Sequence, residues 1–135
     1  MDNELTRAYK KKTPHQKLMV YCENLWSKII IRNAHGCSEY SGKLYDPENG
    51  VYLVAHHLIG KPHLALRFTI ENGMSLTLGE HKWIAHHTGR QKIFKDRVIE
   101  LRGPDIYEYL ESIKPDSRRL LAYKNWLEIL WRRHE

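Results

Sequence analysis

Cysteine is scarce in this chain: Cys22 and Cys37 are the only two, and they form neither a CxxC pair nor a disulfide framework. That excludes a small secreted scaffold held by cross-links and fits a reducing compartment. Long hydrophobic runs are missing as well. Aliphatic stretches such as Ile29–Ile31 fall far short of the roughly 20 residues that span a bilayer. The opening segment MDNELTRAYKKK lacks the apolar stretch of a secretory signal, so a cytoplasmic protein with no membrane partner is expected. Acidic residues are the minority charge, 16 against 22 Lys and Arg, leaving a net +6. A surplus of that sign suits a polyanionic partner, because each phosphate neutralised releases a counterion. A chain of 135 residues, 41% hydrophobic and 28% charged, predicts one soluble domain with a real core.

The chain divides by pattern. Residues 1–14 read as a flexible basic leader, with Lys10, Lys11 and Lys12 consecutive and Pro14 after them. Leu18, Cys22, Leu25 and Ile29 then share one face of a helix that ends near Gly36. Asp46-Pro47-Glu48-Asn49-Gly50 is a turn, and Val51–Ala55 is a β-prone run that ends at His56 and His57. A loop from Leu58 to Asn72-Gly73 leads to a second strand, Met74–Leu78, and then to a helix carrying Glu80, His81, Trp83, Ile84 and His86. Trp83 is expected in the core with Trp26 and Trp126. Three helical patterns follow: Phe94, Val98 and Leu101; Ile106, Tyr109, Leu110 and Ile113 after Gly103-Pro104; and a stripe from Leu120 to Trp131 opened by Pro115-Asp116-Ser117. The fold class this predicts is α+β, with strand–loop–strand–helix at 42–88 and a helical extension at 90–135.

Nine histidines stand out, unevenly placed. His56 and His57 are adjacent on a strand, so their side chains leave it in roughly opposite directions, and one can bind a metal while the other faces a substrate. His81 opens a helix 24 positions after His57, where a strand–loop–strand–helix unit returns to the strand end. Such a set suits phosphodiester hydrolysis. A divalent cation stabilises charge on the phosphate, and a neutral histidine, with a pKa of about 6.5, accepts a proton from water. A buried asparagine can fix the loop or orient the base.

The ordered run AHHLIGKP…LRFTIENGMSLTLGEHKWIAHH resembles the HNH (ββα-metal) endonuclease motif, and the stretch from about Leu25 to His86 is similar to phage proteins of the recombination-endonuclease (NinG-like) type. The resemblance implies a ββα-metal core at 42–88 and a phage or prophage DNA endonuclease. It makes His56 a metal ligand, His57 the general base, Asn72 the motif asparagine and His81 the second metal ligand. Mg²⁺ or Mn²⁺ is the first expectation for the cation, with Zn²⁺ or Ni²⁺ also accepted by imidazole. Many relatives carry a structural zinc held by two CxxC pairs. Here the second pair is replaced by Thr77 and Glu80, and the first is reduced to Cys37 beside Ser38 and Ser41. No structural zinc is therefore expected, and packing by the Trp26 helix and the C-terminal helix has to replace it.

Other residues carry weaker signals. His86 sits five positions after His81, about 140° around a regular α-helix, and is the alternative third ligand. Lys61, His63 and Arg67 lie in the loop, where they can meet substrate phosphate. Lys92, Lys95, Arg90 and Arg97 supply further cations that more often form a solvated face. DNA is the expected partner, with RNA left open. Two rival readings remain: a non-catalytic nucleic-acid-binding module on the same scaffold, and an accessory factor that meets a phage DNA-processing protein through Tyr123, Trp126, Trp131, Arg132 and Arg133.

Overall fold

The computed structural model describes residues 11–60 and 62–133, so most of the expected leader, and Lys61, lie outside the described residues. The first helix, α1 (Pro14–Asn33), begins on the last residue assigned to that leader. Thr13 accepts the backbone N–H of Gln16 at 3.1 Å while the Gln16 side chain accepts that of Thr13 at 2.8 Å, a reciprocal cap with proline in the first turn. Its buried face is Cys22, Leu25, Trp26, Ile29 and Ile30, three of the four predicted residues joined by Trp26 and Ile30, with Leu18 only partly buried.

Two strands make one antiparallel sheet. β1 (Leu53–His57) pairs with β2 (Gly73–Thr77), from Leu53 opposite Thr77 to His57 opposite Gly73. Every residue of β2 is buried because both its faces are covered. Met74 and Leu76 enter a cluster with Phe94, Val98, Ile106 and Leu110, while Gly73 lies against Trp26 and Ile30 of α1. A Cβ on Gly73 would sit 2.5 Å from Ile30 Cδ1 and 2.7 Å from Trp26 Cζ2. Gly73 itself is extended, at φ −112°. The Asn-Gly pair is therefore not a left-handed turn; its glycine is set by helix–strand contact.

The connection between the strands is more structured than the sequence suggests. It holds a short helix, α2 (Leu64–Arg67), and a 3₁₀ turn, Ile70–Asn72. Neither is long enough to show a helical period in sequence. After β2 come one turn of helix, α3 (Leu78–Glu80), a π-helical segment, His81–Ala85, and three more helices: α4 (Gln91–Arg102), α5 (Ile106–Ser112) and α6 (Leu120–Arg132). The fold is thus α+β, as composition and pattern predict. Among the described residues no helix is long and apolar enough to cross a membrane.

The bracing differs from expectation in two places. Packing of α6 on α1 is present: Tyr21 donates to Glu128 at 2.9 Å, and Arg32 donates to the Leu130 and Trp131 carbonyls at 3.1 and 2.6 Å. But Ser38, Thr77 and Glu80, at positions of lost thiolates in the resembled motif, also build a buried hydrogen-bond network. Ser38 donates to Glu80 Oε1 at 2.6 Å and accepts the N–H groups of Tyr40 and Ser41 at 3.1 Å each. The same Glu80 oxygen accepts the Thr77 N–H at 2.9 Å. The second difference is Trp83, which lies in the π segment and is 63% exposed rather than in the core. On α6, Tyr123 is buried, and the partly buried Trp131 lies under the Arg32 guanidinium at 4.2 Å.

Candidate metal centre

The strand alternation separates the adjacent histidines as expected. His56 is buried and turns toward the π segment, whereas His57 turns toward α1 and stacks on Trp26 with centroids 4.0 Å apart and planes 10° apart. His56, His81 and His86 form a cluster in which one ligand atom from each lies within 4.8 Å of the others. The ring centroids are 5.1 Å apart for His56 with either partner and 4.4 Å for His81 with His86.

The convergence of His86 corrects the angular argument from sequence. On an α-helix residue i+5 lies about 140° away, but i→i+5 hydrogen bonding makes residue i+5 the neighbour one turn on. His81–Ala85 is π-helical, so His86 comes back beside His81. Nothing in the sequence distinguishes this local register from a regular helix.

The donors fit a cation. His56 Nδ1 and His81 Nδ1 lie 3.2 Å apart. Two nitrogens about 2.1 Å from one ion, at tetrahedral or octahedral angles, are roughly 3.0–3.4 Å from each other. Burial, and then the neighbouring imidazoles His81, His86 and His57, push the pKa of His56 down to about 3. Burial, with His86 and Lys82, lowers that of His81 also. Both rings are neutral near pH 7, the form in which imidazole ligates a metal. Three nitrogens with no carboxylate form the kind of donor set that imidazole-preferring ions such as Zn²⁺ or Ni²⁺ take more readily than the oxygen-seeking Mg²⁺ or Mn²⁺.

The cluster opens into a cleft of about 580 Å³ that is also lined by His57, Trp26, Lys95 and Tyr107. His57 Nε2 lies 2.9 Å from the Arg67 carbonyl. A carbonyl only accepts, so Nε2 carries the proton and the lone pair of the neutral ring is on Nδ1. The Trp26 stack and this hydrogen bond together fix the ring. Trp26 is held in turn by donation to the Thr69 carbonyl at 3.2 Å.

The remaining predicted site residues sit around this centre rather than in it. Asn72 is fully buried and spends its amide on the loop. It accepts the Ile59 N–H at 3.0 Å and donates to the carbonyls of Leu66 at 3.1 Å and Ile59 at 3.4 Å. It is a brace for the segment whose Arg67 carbonyl holds His57. His63 caps α2 by accepting the Leu66 N–H at 3.3 Å. Arg67 is ion-paired with Glu23 of α1. Lys61 lies outside the described residues. Sequence reasoning missed Trp26 as the ring's support, Glu23 as the partner of Arg67, and Tyr107 in the cleft wall. Each is more than twenty positions from the histidines of the site, and local spacing carries no signal of that.

Compared with known protein families, curated proteins and solved structures, the chain matches no family model, no curated protein and no solved structure.

Proposed function

We propose that the chain is a metal-dependent nuclease that hydrolyses DNA phosphodiester bonds. The observation that carries this reading is one cleft holding both a three-imidazole cluster and a separate histidine, His57, whose Nε2 is held on the Arg67 carbonyl. β1, β2 and the helical segment after them correspond, on this reading, to the ββα-metal core that the motif resembles. The net charge of +6 supports a nucleic-acid substrate.

His56, His81 and His86 would hold the cation. A divalent ion there supplies Lewis-acid stabilisation of negative charge on the phosphate and the leaving oxygen. His57 Nδ1 accepts a proton from water as the water oxygen bonds to phosphorus. The bond from phosphorus to the leaving oxygen breaks, that oxygen takes a proton from solvent, and the His57 imidazolium returns its proton to solvent. Trp26 and the Arg67 carbonyl keep the ring oriented through the step.

The test is nicking of supercoiled plasmid in Mn²⁺, Ni²⁺, Zn²⁺ and Mg²⁺. His57→Ala should bind the metal as the parent does and cut about 100-fold more slowly or worse, the range for loss of a general base. Equal cutting would remove His57 from the role. Metal-dependent DNA binding with no cutting in any metal would leave the chain a non-catalytic binding module.

A further inference from the structure

The cleft has a second wall, supplied by α4 and α5, which lie beyond the histidine motif. Phe94 on α4 is buried and meets His56 edge-on, with centroids 5.3 Å apart, so α4 is registered against the imidazole cluster. The next residue, Lys95, is the only lysine or arginine among the described residues lining the cleft. Neighbouring cations are engaged elsewhere: Lys92 pairs with Asp96, Arg97 with Glu100, and Arg67 with Glu23. Among the described residues no such ion pair holds Lys95, which is exposed. Its ammonium lies 5.6 Å from the centre of the Tyr107 ring. The Tyr107 hydroxyl has no hydrogen-bond partner among the described residues, and burial pushes its pKa up to about 12, so it remains a donor. The cleft's one carboxylate, Glu23, is ion-paired with Arg67. Lys95 is thus the exposed cation of the cleft wall, next in sequence to the Phe94 that α4 packs against His56.

We propose that Lys95 binds phosphate in this cleft, gripping a non-bridging oxygen of a phosphodiester seated between α4 and the imidazole cluster. The identity of the anion rests on the nuclease reading; the cationic wall does not. An ammonium serves as a compact point charge on phosphate, and an arginine at the same place would preserve the charge. The Tyr107 ring face lies beneath the Lys95 ammonium and favours that placement of the charge.

The test uses the full chain loaded with Mn²⁺, with binding of inorganic phosphate and of a single-phosphate thymidine dinucleotide followed by calorimetry. Lys95→Gln should weaken dinucleotide binding about ten- to hundredfold, the range for a lost charged hydrogen bond. Lys95→Arg should stay within a few-fold of the parent, and Lys92→Gln, at a residue outside the cleft lining and paired with Asp96, should match it. Mn²⁺ affinity should be the same in all four proteins. Parent-like dinucleotide binding by Lys95→Gln, or an equal loss in Lys92→Gln, would overturn the proposal. Plasmid cutting by the parent is scored separately. Lys95-dependent phosphate binding without cutting would remove the nuclease and keep the anion site.

Discussion

At the scale of single residues, Gly73 shows how one absent methyl group positions the site. Trp26 and Ile30 occupy the space a Cβ would need, and Trp26 is the ring on which His57 stacks. Gly73→Ala should therefore cost about 1–3 kcal/mol of stability, the usual penalty for forcing extra volume into a packed core. It should also slow cleavage by displacing the Trp26–His57 pair. Urea unfolding and single-turnover cutting check both. Parent-like stability would mean that Ile30 and Trp26 relax freely. Asn72 acts through the same chain of contacts, since its amide braces the segment whose Arg67 carbonyl receives the His57 proton.

Among the elements, the π-helical segment decides the composition of the candidate centre. If His81–Ala85 were regular α-helix, His86 would lie about 140° around the axis from His81 and leave the cluster. Hence His86→Ala should weaken Mn²⁺ or Zn²⁺ binding about as much as His81→Ala, as read by metal titration of the three single alanine variants. A much smaller loss at His86 would reduce the centre to His56 and His81. The start of α6 offers an independent test. No side chain caps its first turn; instead Asp116 accepts from Arg118 at 2.7–2.9 Å and from the Tyr123 hydroxyl at 2.9 Å. The Arg118 hydrogen bond, helped by Tyr123, holds the Asp116 carboxyl down to about 2 from its ordinary 3.8. A folded-state pKa below the unfolded one means that the stabilisation is complete above about pH 4 and is lost as pH falls toward 2. Asp116→Asn should accordingly flatten the acid limb of a stability-against-pH curve between those values. An unchanged limb would show that other carboxyls set it.

For the molecule as a whole, the basic balance predicts how nucleic acid is held. Binding of a short DNA duplex to the metal-loaded chain should weaken steeply between 50 and 200 mM salt, with a log–log slope that reports the phosphates neutralised. Lys95→Gln should lower that slope by about one. A slope near zero would mean that the +6 charge plays no part in binding.

Much of the molecule is legible in the sequence for a physical reason. Side-chain period and turn chemistry are local, so the α1 face, the two strands, the Asp46–Gly50 turn and the helical extension follow from residues a few positions apart. The alternation that parts His56 from His57 is equally local. What only the tertiary structure decides is contact across long separations and departures from regular geometry. The π register that returns His86 to His81, the exposure of Trp83, the Ser38–Glu80–Thr77 network and the stack of Trp26 on His57 are of this kind. So is the choice of Lys95 among several similar cations. Composition and spacing give each of those residues the same chemistry wherever it lies, and only packing of α1, the sheet and α4 around one cleft determines which of them face one another.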